Sequence, residues 1–335
     1  MSTSWPSTTT SADRGATVVT RVVVLAGGTG GAKLAAGLQA VLPHGDLTVI
    51  VNTSDDVERH GLLVMPDHDA VFYMLGDRFD HERGWGIDGE TWVVMDGLKA
   101  YGEDGWFGLG DRDFATHIAR TARLRSGESL TDAVVGLQAA LGLPSRILPM
   151  CDEPVRTQVR TDDGWLEFQE YFVHRHQAPE VREVQFDGIE AARPTAAVLE
   201  AIADAELIVI GPSNPIVSLG PILALPGMAE AIAAARANGT EVLTVSGIVG
   251  GRALKGPADR MLASLGHQSS AVGVATLLAP HTDTFVLDSV DAETAPAIAA
   301  LGLRTHVADT IMVDAAGRAR LASDLLAAAG RPVPT

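Results

Sequence analysis

The sequence predicts an α/β protein built on a parallel sheet, and three observations carry that prediction. An apolar run, Val22 to Ala26, enters Gly27-Gly28-Thr29-Gly30-Gly31 and is followed by a helix-forming segment, Ala32 to Leu42. A second apolar run, Leu47 to Val51, then ends in Asn52-Thr53-Ser54-Asp55-Asp56, so residues 22–56 read as strand, glycine loop, helix, strand and acidic loop. Beyond them, strand-like runs keep alternating with helix-period segments, the pattern of a parallel sheet. Four of the runs lead into loops of Gly, Ser, Asn and Asp, at 27–31, 52–56, 211–215 and 247–252. A parallel sheet gathers such loops at the carboxyl ends of its strands, where ligands bind.

Taken in order, residues 69–76 read as a helix. From Arg78 to about Gly127 the composition shifts, with Trp85, Trp92 and Trp106 among many glycines and charges. Residues 114–125 and 129–141 read as helices. Residues 155–173 alternate as a hairpin would, with Asp163-Gly164 at its turn. The segment 78–185 is therefore expected as a subdomain inserted into a core formed by 18–77 and 186–330. The core resumes with a helix at Ala196–Ala205 and a buried strand at Leu207–Ile210. A helix at Met228–Asn238 and a strand at Glu241–Ser246 follow, with a further helix from Pro257. Phe285–Asp288 and Thr310–Val313 are short strand candidates, and Ala319–Ala329 is a closing helix. Residues 1–17, rich in Ser and Thr without an apolar stretch, read as a disordered tail and not as a secretory signal.

The bulk properties narrow the function. The chain has 335 residues, 46% of them hydrophobic, and no run of about 18 uninterrupted apolar residues, so a membrane span is not expected. A net charge of −17 argues against nucleic-acid binding, which needs clustered Lys and Arg. The single cysteine, Cys151, allows no internal disulfide, suits the cytoplasm and reads as structural.

Glycines at a strand-to-helix turn expose backbone N–H groups at the positive end of a helix dipole, which makes an anion site. The loop fits neither standard template. The dinucleotide fingerprint has Lys33 where its third glycine belongs, and the P-loop needs Ser or Thr after its lysine, where this chain has Leu34. Gly28, Thr29, Gly30, Gly31 and Lys33, with Asn52, Ser213 and Asn214 from neighbouring loops, are the candidate phosphate and substrate contacts. Asp55 and Asp56 in one loop, and Asp69 with Asp67 in Pro66-Asp67-His68-Asp69, are candidate ligands for Mg²⁺, which takes few carboxylates and keeps waters and substrate oxygens. Asp69 also stands at the start of an expected helix, where capping is the rival role. Arg112 and His117 are either substrate contacts or an ordinary ion pair and a structural histidine. Arg252 and Lys255, in a glycine-rich helix start, suit a diphosphate. The clustered tryptophans either stack on a flat ring or fill a core. No Ser-His-Asp, Cys-His or zinc-ligand arrangement is present, which suits phosphoryl transfer.

Several strings together resemble the 2-phospho-L-lactate transferases of coenzyme F420 biosynthesis, called CofD in archaea and FbiA in actinobacteria. They are Gly27 to Leu34, Val51 to Asp56, Pro66-Asp67-His68-Asp69, Arg83 to Gly86, Glu90 to Trp92, Leu109 to Asp113 with Ala115 to His117, Phe168 to Tyr171, Pro212 to Pro215 and Gly250 to Asp259. The resemblance covers about residues 20–320. It implies a Rossmann-like core with a mainly helical insertion, in a homodimer. It also implies transfer of a phosphorylated three-carbon acid from a guanosine diphosphate donor to the ribityl hydroxyl of the deazaflavin Fo, with release of GMP. Mg²⁺ would be held by Asp55 or Asp56 with Asp69, Trp85 would belong to the Fo site, and Asp69, Arg252 and Lys255 would be catalytic. The family often has threonine where this chain has Ala70, so a hydroxyl contact there is missing. The donor's acid, whether phospholactyl, phosphoenolpyruvyl or 3-phosphoglyceryl, is not fixed by any residue. The rival is a YvcK-type regulator, which shares a related glycine loop and Asp-Asp loop and binds nucleotide-sugars without catalysis.

Overall fold

The computed structural model describes residues 21–331; the expected N-terminal tail lies outside them. Seven strands form one parallel sheet: β1 (Val22–Ala26), β2 (Leu47–Val51), β3 (Arg146–Pro149), β4 (Leu207–Ile210), β5 (Glu241–Val245), β6 (Thr284–Asp288) and β7 (Arg304–Ala308). Their spatial order is β7-β6-β5-β4-β1-β2-β3, and every neighbouring pair is parallel. This is the Rossmann order with one strand added at the far edge. Strands β1, β2, β4 and β6 are buried at every position, as expected of strands covered on both faces by helices.

The order reverses between β1 and β4, which are in register from Val22–Leu207 to Leu25–Ile210. The crevice beyond their carboxyl ends is where such folds bind ligands. On one face of the sheet, helix α1 (Gly28–Val41) packs between α2 (Pro66–Leu75) and the C-terminal helix Ala315–Ala328. A Cβ on Gly37 would lie 2.2 Å from the Arg318 carbonyl oxygen, so glycine there is what lets α1 and the C-terminal helix touch.

The expected insertion, 78–185, needs correcting. The chain re-enters the central sheet at β3, so this span is not one excursion. Between α2 and β3 the excursion is helical: α3 (Val93–Ala100), α4 (Asp111–Arg125) and α5 (Leu130–Ala140). Between β3 and β4 lies an antiparallel three-stranded sheet, Arg156–Thr161 flanked by Gly164–Glu167 and Glu183–Asp187, which includes the expected hairpin. After the hairpin the chain leaves extended structure and forms a π-helical turn at Glu170–His174. Residues Thr310–Val313 are not a strand. The sheet ends instead at Arg304–Ala308, whose half-exposed edge position admits polar residues.

Replacing Gly37 by alanine removes backbone freedom from the unfolded chain but overfills the α1 contact. The overpacking is expected to win, lowering stability by about 1–3 kcal/mol. Urea denaturation reads this directly, and unchanged or raised stability would refute the close contact.

Candidate functional site

The strand-end loops and the helical excursion enclose a cavity of about 980 Å³. Its inner half is built on α1. Gly27 precedes the helix without any side-chain cap, and Gly28 adopts a left-handed φ of 61°. The neighbouring loop after β4 is locked against this turn. Ser213 Oγ accepts the Gly27 N–H at 3.1 Å and donates to the Gly27 carbonyl at 2.7 Å. A Cβ on Gly30 would sit 2.3 Å from the Pro212 carbonyl oxygen. Glycine is thus required by backbone contact, and the helix N-terminus opens into the cavity as a result.

Two lysines line this half. Lys33 Nζ donates to the Met312 carbonyl at 3.2 Å, and burial, then Arg318, lowers its pKa. Lys255 Nζ donates to Thr29 Oγ1 at 3.2 Å and also to the Gly84 carbonyl. Its pKa is lowered by burial and then by Lys33. Lys255 therefore ties α1 to the turn Gly84-Trp85-Gly86. The stretch 310–313, expected as a strand, lines the cavity here in irregular form. Thr310 is held by Asp288 Oδ2, which accepts its N–H at 2.8 Å and its hydroxyl at 2.9 Å.

The outer half is aromatic, with Tyr73, Phe79, Trp85, Trp106, Phe107, Phe168 and Phe172 in its wall. Arg83 lies 4.9 Å over Trp85 and 5.0 Å over Trp92, and Trp85 meets Trp92 edge-on at 6.0 Å. Trp106 is sandwiched between Arg59, 4.3 Å from its centroid, and the His174 ring, stacked at 4.9 Å. The tryptophans are therefore held from behind by cations and rings. Trp85 and Trp106 also reach the cavity.

Four buried aspartates face the cavity from different surroundings. Asp55 accepts the Thr157 hydroxyl at 3.0 Å, and Asp67 accepts Asn52 Nδ2 at 2.9 Å and the Gly28 N–H. Burial and then the charge of Asp67 raise Asp55 well above the carboxylate range. Burial raises Asp67 to about 6 despite its hydrogen bonds. Asp69 differs. Burial alone would raise it, but Arg120, buried completely, pairs with both its oxygens and holds it well below the usual range. Asp69 Oδ2 also accepts the Met65 N–H at 3.3 Å, reaching back over the start of α2. Asp113, on α4, is raised to about 7, chiefly by burial.

His117, also on α4, is 1% exposed. Its Nδ1 lies 3.5 Å from Arg120 and 3.6 Å from Asp69, while its Nε2 has no partner. Burial keeps it neutral, with a pKa lowered to about 4.

The expected residues divide accordingly. Gly28, Thr29, Gly30, Lys33, Asp55, Asp69, Trp85, His117, Ser213, Asn214 and Lys255 all line the cavity. Gly31 lies under it, where a Cβ would meet Ala26 Cβ at 2.7 Å. Four expected contacts lie elsewhere. Asn52 is fully buried, and its amide is spent on Asp67, the Val217 carbonyl and Ser54. Asp56 sits behind the wall with an unpartnered Oδ1, and burial raises it strongly. Arg112 turns outward, donating to the Asp88 carbonyl at 2.8 Å. Arg252 is exposed on a small hairpin, Ile248–Val249 with Arg252–Ala253. Asn214 spends its side-chain oxygen on the Ile216 N–H at 2.9 Å. Tyr73, which also lines the cavity, was not among the expected contacts. Cys151 is buried and its thiol is pushed up to about 12, so it is unreactive.

The Asp69–Arg120 pair joins α2 to α4. Replacing Arg120 alone by methionine leaves a buried carboxylate uncompensated and should cost about 3–5 kcal/mol. Adding Asp69→Leu should recover most of that loss in urea denaturation, and equal stability of the two variants would show the pair is not buried as described.

Comparison with known proteins identifies the family. The 2-phospho-L-lactate transferase CofD family model matches residues 22–326. A phosphoenolpyruvate transferase from Streptomyces griseus is 44% identical, covering 91% of this chain and 97% of its own. Another, from Kitasatospora aureofaciens, is 42% identical, covering 92% and 98%. A 2-phospho-L-lactate transferase from Methanosarcina mazei is 40% identical, covering 87% and 94%. A crystal structure of a UPF0052 family protein from Bacillus halodurans shares the fold at a TM-score of 0.57 and 18% identity, covering 87% of this chain and 93% of that one. With a family model spanning nearly the whole described chain and relatives matched almost end to end, this chain belongs to the CofD family of 2-phospho-L-lactate transferases.

Proposed function

We propose that the protein is a Mg²⁺-dependent phosphotransferase of coenzyme F420 biosynthesis, moving a phosphorylated three-carbon acid from a guanosine diphosphate donor to Fo and releasing GMP. The carrying observation is the cavity's division into an anion-binding half and an aromatic half. A diphosphate suits the first turn of α1 beyond the Gly28 N–H that Asp67 takes, with Lys33 and Lys255. A flat ring suits the aromatic wall at Trp85. About 980 Å³ accommodates both ligands together.

Asp55 and Asp67 fit a divalent cation. Each is buried beside the other, and their repulsion calls for a proton or a metal. Among the described residues no three His, Cys, Asp or Glu converge to hold a metal unaided. Waters and donor oxygens would complete the shell, as Mg²⁺ prefers. Asp69, neutralised by Arg120, is the weaker ligand. When bound, the cation would draw charge from the phosphoryl oxygens. Lys255 and the α1 N-terminus would stabilise the departing GMP phosphate. Action in the cytoplasm, on small molecules and as a homodimer, belongs to the same proposal. Among the described residues no helix is long and apolar enough to cross a membrane.

The test is titration of Fo fluorescence with protein and Mg²⁺, then incubation with phospholactyl, phosphoenolpyruvyl and 3-phosphoglyceryl guanosine diphosphates and mass analysis. Saturable Fo binding with one phosphodiester product supports the reading and names the acid. Binding of UDP-N-acetylglucosamine without Fo would replace it with the nucleotide-sugar regulator. Asp55→Ala should abolish turnover while leaving the fold intact by circular dichroism.

The aspartates also predict a pH dependence. Asp67 titrates near 3.9 unfolded and about 6 folded. Its protonated form is favoured by folding, so that contribution is full below pH 4 and lost as pH rises through 6. The loss is about 3 kcal/mol at 1.36 kcal/mol per pH unit. In chelator, the Asp67→Asn variant should therefore gain on wild type as pH rises from 4 to 7. Mg²⁺ should raise the wild-type melting temperature more at pH 7.5 than at pH 5. A pH-independent difference from Asp67→Asn would defeat this account.

A further inference from the structure

We infer that Asp113 is the group that accepts the proton of the attacking hydroxyl. This rests on the phosphotransferase reading above and adds to it a catalytic residue. In the sequence the obvious carboxylate for that task is Asp69. The ion pair with Arg120 removes Asp69 from it, because a carboxylate held by a buried guanidinium is a poor proton acceptor. Among the described residues Asp113 has no ion-pair partner, although it is 4% exposed and lines the cavity.

Its placement is set by the local fold. Asp113 lies in the first turn of α4, whose start is capped by Glu90: its two carboxylate oxygens accept the N–H groups of Arg112 at 2.8 Å and Asp113 at 2.9 Å. Gly110 makes that cap possible, since a Cβ there would lie 2.1 Å from Glu90 Cδ. In return Asp111 accepts the N–H groups of Val93 at 3.1 Å and Val94 at 2.9 Å, capping α3. The reciprocal caps fix the register of α4, and with it the side of the helix on which Asp113 and His117 lie, one turn apart.

The carboxylate stands where the two halves of the cavity meet. A Cβ on Gly86 would be 3.2 Å from Asp113 Oδ2. Two residues earlier, the Gly84 carbonyl is bound by Lys255, which also holds Thr29 at the start of α1. One short turn therefore touches both the anion half and Asp113. A flat acceptor stacked in the aromatic half has to deliver its hydroxyl across this junction. The unpartnered Nε2 of buried His117 marks the same wall as built for a polar ligand atom.

In the step, the hydroxyl O–H bond breaks as the new O–P bond forms, and the proton passes to Asp113. The P–O bond to the nucleoside monophosphate breaks with its electron pair leaving on the phosphate oxygen. Atoms and charge balance without another reactant. The groups facing Asp113 are Asp69 and Tyr73 from α2 and Glu90 from the loop before α3, with Arg83 across Gly86, where a Cβ would lie 3.2 Å from Asp113 Oδ2 and 3.4 Å from Arg83 Nη1. Burial, with the charges of Asp69 and Glu90, places its titration at about 7, suited to a base at neutral pH.

The test uses the full chain with Fo, the donor that wild type accepts, and Mg²⁺. Asp113→Asn should lower kcat by about 10²–10⁴-fold. Fo binding and the donor KM should stay within about threefold, marking a loss made in the transition state. Wild-type kcat should rise with pH through about 7, because the base works only when deprotonated, and the variant should lack that limb. Asp113→Glu, which keeps the carboxylate, should recover part of the rate and serves if the asparagine variant does not fold. Wild type without turnover on any donor would overturn the phosphotransferase reading itself. An active wild type with an equally active Asp113→Asn, or a pH limb that survives in it, would overturn only the role of Asp113.

Discussion

The buried ion pair between Arg120 and Asp69 is the constraint on which the site depends. It ties α4, in the helical excursion, to α2, which packs on the core beside α1. With the Lys255 bridge from Thr29 to the Gly84 carbonyl, it holds the aromatic half of the cavity against the anion half. A buried pair of this kind is weak evidence for stability as such, because desolvation offsets its attraction. Its consequence is organisational. It uses up Asp69 and leaves His117 neutral beside a permanent cation. It also places a fixed negative charge near Asp113.

The glycine loop follows a second constraint, which is contact distance rather than flexibility. Gly27, Gly30 and Gly31 each lie where a Cβ would strike a neighbour, whether Ser218, Pro212 or Ala26. Only at Gly28 does the backbone itself require glycine. The loop after β4 is pressed onto the start of α1, so the strand-order reversal, the helix N-terminus and Ser213 share one place. This explains why the loop matches neither nucleotide-binding template and still forms an anion site: its glycines serve a different neighbour.

Much of this was legible locally. The strand, glycine loop, helix and second strand follow from composition over residues 22–51, and β4 and the helices near 114–125 and 129–141 fall where their patterns predict. The misses have physical causes. Strand β3, Arg-Ile-Leu-Pro, is four residues at a sheet edge, too short to stand out from its loops. Strand β7 is an edge strand with polar alternation, so the more apolar Thr310–Val313 drew the prediction. Within the site, Asp69 and Arg120 are 51 residues apart, and nothing near either reveals the pair. Asn52 has the residue type of a ligand contact, but its amide is consumed by Asp67 and Ser54. The type of a residue can be read from sequence; whether its hydrogen bonds are already spent cannot.

That distinction decides what four similar side chains do. Asp55, Asp67, Asp69 and Asp113 are all buried against one cavity, and charge alone would give them one role. Asp55 and Asp67 raise each other's need for a counter-charge, so together they suit a cation. Asp69 already has its counter-charge and serves to hold helices together. Asp113 has burial and like charges around it but, among the described residues, no ion-pair partner, which leaves proton uptake as the way to relieve its charge. Environments that drive equivalent carboxyl groups apart are how a protein separates acid, base and metal-binding roles. Here the separating element is a single guanidinium: moved from Asp69 to Asp113, it would exchange the tasks of those two residues without changing the composition of the site.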